Sequence, residues 1–282
     1  MANPTLRQRQ LAKRLRELRH QTSMSIADVA GHLLCSPAKI SRIETAQRRA
    51  SLRDVRDLCN LYGVSNATEL MELARGAREQ AWWQQGEGID VEPVIGLENE
   101  AIKISEYETT TIPGLLQTDA YARAVIKGFV PLIDNALLQR QVEIRMKRQD
   151  LLHRVGAPRY WVLLDESALH RHIGGPNVMK EQLERLGEAA ELPHVTIQVL
   201  PFTVGAHMGF DSAFMLLEFD EGAHLSDTVF METIAGHLFQ EKPSQLLRFR
   251  EVLDHLRAMA LPPPESSKLI NTQARYFASQ SG

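Results

Sequence analysis

Cysteine is nearly missing from this chain of 282 residues: there are two, Cys35 and Cys59, in no CxxC spacing and with no histidine cluster around them. That excludes a disulfide framework and argues against a zinc site, so both read as small core residues inside helical segments. No apolar run approaches the roughly 20 residues that would cross a bilayer. The start, MANPTLRQRQLAKRLRELRH, is basic but has no apolar stretch of the secretory kind. The expected location is therefore the cytoplasm, with the nucleoid, and no membrane partner. Recognisable catalytic spacings are missing as well. There is no HExxH, GxSxG, P-loop or GxGxxG and no defensible carboxylate pair. The expectation is a protein that is not an enzyme, with no catalytic residue, no metal and no cofactor. Repeats and low-complexity tracts are absent too.

What is present is an ordinary globular composition, 44% hydrophobic and 24% charged, with an uneven distribution of charge. The first 75 residues hold 13 Lys and Arg against 7 Asp and Glu, a net +6 inside a chain whose total is −3. The remainder is acidic by 9. A basic head on an acidic body can bring the head to a polyanion and keep the body away from it.

Periodicity divides the chain in the same place. Leu11, Leu15 and Leu18 make one apolar stripe over 5–20. Ser25 with Asp28 forms a capping-box pattern before a second helix. Ser36-Pro37 reads as N-cap plus first-turn proline for a third. Ser51 with Asp54 opens a fourth helix that stops at Gly63, and a fifth covers 66–78. Residues 1–78 are thus expected to be an all-α helix-turn-helix domain. Residues 79–94, with Gly86, Gly88 and Pro93, read as a linker in which Trp82-Trp83 is a packed anchor. Residues 95–282 are expected to form a larger α/β (or α+β) domain for sensing or partner binding and for dimerisation. Its helices are placed at 95–106, 118–128, 134–154, 178–191 and 243–260, and its strands at 160–164, 195–200, 213–219 and 228–232. Pro262-Pro263-Pro264 reads as a stiff break before a short tail.

Treating 36–45 as a helix puts Ile40, Ile43 and Glu44 on one side, and Ala38, Ser41, Arg42 and Thr45 on the other. The outer side is small except for Arg42, which suits a helix entering a major groove about 12 Å wide. Arg42 is the side chain there able to bond guanine bidentately. Ser36, Lys39, Arg48 and Arg49 suit phosphate contacts, which fix register without reading sequence. Pro37 and Ala38 sit at the helix N-terminus, whose free N–H groups favour phosphate.

The string SIADVAGHLLCSPAKISRIETAQRR, through Ala30, Ser36 and Ile40-Ser41-Arg42-Ile43-Glu44, resembles the phage-repressor-type (XRE-like) helix-turn-helix regulators. The resemblance implies a structural ion pair between Glu44 and a first-helix arginine, which by spacing is Arg19. It also implies a double-stranded operator as ligand, and the single small reading helix adds the expectation of a homodimer. The chain departs from that family at Ile26, Pro37 and Ala38, where longer polar residues are common.

The remainder, through Ile112-Pro113-Gly114-Leu115-Leu116-Gln117-Thr118, Arg145, Arg148-Gln149, Asp165-Glu166, Gly174-Gly175-Pro176 and Gly205-Ala206-His207, resembles the C-terminal domain of actinobacterial regulators, the WhiJ-like ones among them. That domain is known only as one of unknown function. The resemblance implies a role in development and secondary metabolism, and a small partner protein encoded nearby. Asp165, Glu166 and His207 fall near strand ends, and Phe210 lies in an aromatic, glycine-rich loop. These four are the candidate contacts for a small protein or small-molecule effector. Two other readings stay open: an antitoxin-like regulator that sequesters a small partner, and an enzyme tethered to DNA.

Overall fold

The structure, a computed structural model, describes residues 6–77 and 94–280. The expected linker, except for residue 94, and Trp82-Trp83 lie outside the described residues. The chain divides into two units. One runs to Glu100 and includes Phe219–Ser226; the other comprises Ala101–Glu218 and the stretch from Asp227.

The first unit, or head, contains five helices before its residue 78, three of which start at the expected capping serines. They are α1 (Leu6–Gln21), α2 (Ile26–His32), α3 (Pro37–Glu44), α4 (Leu52–Leu61) and α5 (Thr68–Gly76). Ser25 and Ser51 each accept from the amide three residues on, and Asp28 and Asp54 return the bond, so both capping boxes are closed. Ser36 caps α3, with Pro37 as its first residue. The apolar stripe of α1 meets Val29, Ala30, Ile40, Ile43, Val55, Leu58 and Leu70 in one core. Cys59 lies in it and Cys35 packs on its edge. Gly63, at φ +69°, takes the left-handed position just after α4. A further helix, α6 (Val94–Glu100), is buried.

The second unit, or body, is built on a six-stranded sheet: β1 (Ala101–Glu108), β2 (Arg159–Asp165), β3 (Val195–Leu200), β4 (Phe214–Phe219), β5 (Thr228–Thr233) and β6 (Gly236–Gln240). The order across the sheet is β3-β2-β1-β4-β5-β6. β1, β2 and β3 run parallel, while β4, β5 and β6 form antiparallel pairs. Its helices are α7 (Asp119–Phe129), α8 (Asn135–Arg148), the short α9 (Ser167–His170), α10 (Pro176–Ala190), α11 (Pro243–Met259) and α12 (Pro263–Ser279). Tyr107, Leu163, Leu200, Phe214, Leu216 and Val229 form one apolar face, packed on Leu246, Val252, Leu253 and Leu256 of α11.

Three expectations for the body are corrected. The helix placed at 95–106 ends at Glu100, and the chain continues as β1, a strand deep in the sheet. β1 is buried on both faces from Ile104 to Tyr107, so the alternation that marks a half-exposed strand is missing from its sequence. β6 was not expected because its five residues contain glycine, histidine and glutamine. The triple proline starts a helix rather than a tail: Pro263 is the first residue of the 17-residue α12, a position that needs no free N–H.

Candidate nucleic-acid interface

The α2–turn–α3 unit is fixed from beneath. Ile40 and Ile43 are 1% and 2% exposed. The Arg19 guanidinium donates to both Glu44 oxygens, at 2.8 and 2.9 Å, with both side chains buried. This paired geometry raises the Arg19 pKa above its ordinary value, chiefly through the Glu44 hydrogen bond. Arg19 also donates to the Met24 carbonyl, and Gln8 to the Ala46 carbonyl, so α1 holds the chain before α2 and the exit of α3. Three joints around these helices carry non-glycine residues with left-handed backbone; Ser23, at φ +56°, precedes α2. Leu34, at φ +49°, joins α2 to α3, and Ala46, at φ +56°, follows α3.

With the apolar side fixed, the opposite side of α3 faces solvent. Ser36, Pro37, Ala38, Arg42 and Thr45 are exposed and Ser41 is partly so. The Thr45 hydroxyl is spent on the Ser41 carbonyl, at 2.8 Å, which leaves its methyl as the outward group. The backbone turns after α3 so that the Arg48 amide donates to the Arg42 carbonyl. Arg42, Arg48 and Arg49 are all exposed, and none forms an ion pair among the described residues. Lys39 is placed differently from its expected phosphate role. Its ammonium lies 2.5 Å from Asp54 Oδ1, and it is half-buried. Burial pushes the Asp54 carboxyl up, but Lys39 and the Ser51 cap pull it down further, leaving it below the usual range. Lys39 therefore joins α3 to the start of α4.

In the body, Asp165, Glu166, His207 and Phe210 come together at the carboxyl end of β2, with most of their polar atoms committed. Asp165 Oδ1 accepts from the Ser167 amide. Glu166 accepts from the Phe202 amide at 2.7 Å and meets His170 Nε2 at 3.3 Å. His207 Nε2 is 3.9 Å from Asp165 Oδ2, too far for a hydrogen bond, and its ring lies edge-on to Phe210. Gly209 fits here because a Cβ would come within 2.8 Å of the Tyr107 ring. Buried Tyr107, whose pKa burial raises, has a hydroxyl with no hydrogen-bond partner among the described residues. Glu166 braces the loop after β3, while exposed Phe210 is its outward surface. Among the described residues no group of three or more potential ligands could hold a metal.

Sequence reasoning missed a second polar cluster. Glu106 and Glu108, two apart on β1, share one face of the strand. The Tyr160 hydroxyl donates to Glu106, whose pKa burial pushes up to about 7. Burial and the Glu106 charge push Glu108 up as well. Burial lowers Arg145 and takes Arg148 down to about 10. Arg145 donates to Gln117 Oε1; Gln149 donates to the Gly114 and Gln117 carbonyls, and Gln182 to the Leu116 carbonyl. The Ile112–Thr118 string thus becomes a clasped loop. A strand reading of β1 would have exposed the Glu106/Glu108 spacing.

A capped helix, a tight turn and a second helix with a bare, cationic outer side define a helix-turn-helix DNA-binding protein. Comparison with known families agrees: the model described as "Helix-turn-helix domain" matches residues 10–73. The model described as "Domain of unknown function (DUF5753)" matches residues 91–272, most of the chain, and the protein belongs to that family. No curated protein and no solved structure matches the chain.

Proposed function

We propose that the protein is a sequence-specific transcriptional regulator of the phage-repressor (XRE-like) type, similar to the WhiJ-like regulators, acting in the cytoplasm on operator DNA. The observation that carries this reading is the outer side of α3, where exposed Arg42 stands above the buried Arg19–Glu44 pair and beside Arg48 and Arg49. In this reading Arg42 contacts a base. Ser36, Arg48, Arg49 and the N-terminus of α3 hold phosphates. One reading helix spans too few base pairs for a tight site, so two heads act as a homodimer on half-sites about 34 Å apart.

The body receives a protein or small-molecule signal at the Asp165–Phe210 end of the sheet. The commitment of Glu166 to the loop supports a binding role there rather than catalysis. For a true switch, effector and DNA must change each other's affinity by the same factor. Genome-wide mapping of binding sites supplies the operator. Arg42→Ala should then cost about 1–3 kcal/mol at one base-pair position and leave binding to random DNA nearly intact. Equal losses on both DNAs would remove Arg42 from the reading role.

A further inference from the structure

Away from the Asp165–Phe210 end, a cavity of about 200 Å³ opens between the sheet and α11, beside Lys103 near the amino end of β1. Leu216 and Leu253 give it an apolar lining. Around them stand three cations, Lys103, Arg250 and Arg257, against two carboxylates, Glu218 and Asp254. The chain beyond residue 75 is acidic by 9, so this lining reverses the sign of its surroundings. Arg250, Asp254 and Arg257 meet there because positions i, i+4 and i+7 share one face of a helix. Lys103 lies 2.6 Å from Glu218 Oε2; Arg250 lies 3.7 Å from Glu218 Oε1 and bonds to Asp227. Arg257 is held differently. Its Nη2 donates to Ser105 Oγ at 2.8 Å, and its guanidinium lies over the Trp161 ring at 4.8 Å. Both partners are neutral: they fix the group and leave its charge unmet. Among the described residues its one ion pair is with Asp254, at 3.1 Å, and the Asp254 side chain is 75% exposed. A pair so open to water contributes little and is easily displaced. The Arg257 Nε–H is buried, with no hydrogen-bond partner among the described residues.

We propose that this cavity is a binding site for a small anion, a carboxylate or phosphate of metabolite size, whose oxygens replace Asp254 on Arg257 while Lys103 and Arg250 add attraction. The site is separate from the signal end proposed above and does not depend on it. Size limits the occupant: pockets for drug-sized ligands run to about 300–1,000 Å³, so this one suits a molecule smaller than a nucleotide. Charge limits it as well. An amine would meet three cations, and an uncharged molecule would leave Asp254 on Arg257.

The test is isothermal titration calorimetry of the full chain with inorganic phosphate and, separately, with succinate, at matched pH and ionic strength. At least one should bind saturably, with a dissociation constant near or below about 1 mM. A response to phosphate alone identifies a phosphate ester as the class of occupant; a response to succinate alone identifies a carboxylic acid. Arg257→Gln should weaken binding by about tenfold or more, with its circular dichroism unchanged. Asp254→Asn, an exposed change that removes the competing carboxylate, should tighten binding about threefold. Glu184→Gln, on α10 outside the cavity, should not. If Arg257→Gln fails to fold, the contrast between Asp254→Asn and Glu184→Gln decides. Phosphate also suits the exposed arginines of the head; binding that Arg49→Ala weakens and Arg257→Gln does not belongs there and overturns the proposal. So does an absence of saturable binding for both anions, or an Asp254→Asn protein that binds no tighter than Glu184→Gln.

Discussion

The head and the body bury charge in opposite ways. Beneath its reading helix the head buries a matched pair, Arg19 with Glu44, bonded twice. The body places two carboxyls on one face of a strand, Glu106 buried and Glu108 partly buried, and desolvation pushes both up. A matched pair remains charged and fixes geometry, as a rigid reading surface requires. A crowded carboxyl cluster takes up protons, so its stability depends on pH.

The largest expected effect breaks the head's pair. Glu44→Ala leaves the Arg19 charge buried and unmatched and should destabilise the head by about 3–5 kcal/mol. Denaturant unfolding followed by far-UV circular dichroism, with operator binding in parallel, measures it; a loss under 1 kcal/mol would mean that water replaces the carboxylate.

Next is the pH response of the body. The folded pKa of Glu106, about 7, lies above the ordinary 4.5. Its contribution is therefore complete below the ordinary value and disappears as pH rises through about 7. Between those limits stability should fall by up to about 1.4 kcal/mol per pH unit. Glu106→Gln should flatten the curve of urea midpoint against pH between about 5 and 7. Parallel curves for the two proteins would remove Glu106 as the source.

Smaller effects separate the cations around α3. Arg49→Ala should weaken binding to all DNA and reduce the slope of log affinity against log salt by about one unit. Lys39→Ala should change that slope less and should lower the melting temperature, since its partner in the structure is Asp54. Equal slope changes would mean that Lys39 leaves Asp54 for a phosphate on binding. The smallest expected effect concerns Leu34, exposed and left-handed. Leu34→Gly removes a conformational cost and should stabilise the head by about 0.5–1 kcal/mol, less the extra freedom of the unfolded chain. A lower melting temperature would show that the leucine side chain contributes packing there.

The same contrast explains what could be read in advance. Helices of the head begin at Ser25, Ser36 and Ser51 because capping is a local hydrogen-bond problem solved within four residues. Ile40 and Ile43 point inward by simple periodicity. Lys39 could not be placed in this way, because Asp54 lies 15 positions away and the two meet only after α3 and α4 pack. β1 was hidden for a related reason. Ser105 and Glu106 are buried in its centre, so neither a polar face nor an apolar run marks it. Strand ends were easier to find: Asp165 and His207 do come near one another, though one polar atom of each is committed to a local bond.

The sheet order also sets a sequence of events during synthesis. The head's core cluster lies within Leu11–Ala74, so its partners emerge from the ribosome early and close together. β1 must wait for β2, since Lys103 pairs with Arg159, 56 positions later, and β2 waits in turn for Val195. Parallel pairings over such distances are slow to form. The nascent chain can therefore carry the folded five-helix part of the head for several seconds, at about 5–20 residues added per second, before the body's sheet can close. In that interval β1 and its interior carboxyls stand in water, and the five helices around the Leu11–Ala74 core are the part of the molecule that can already be folded.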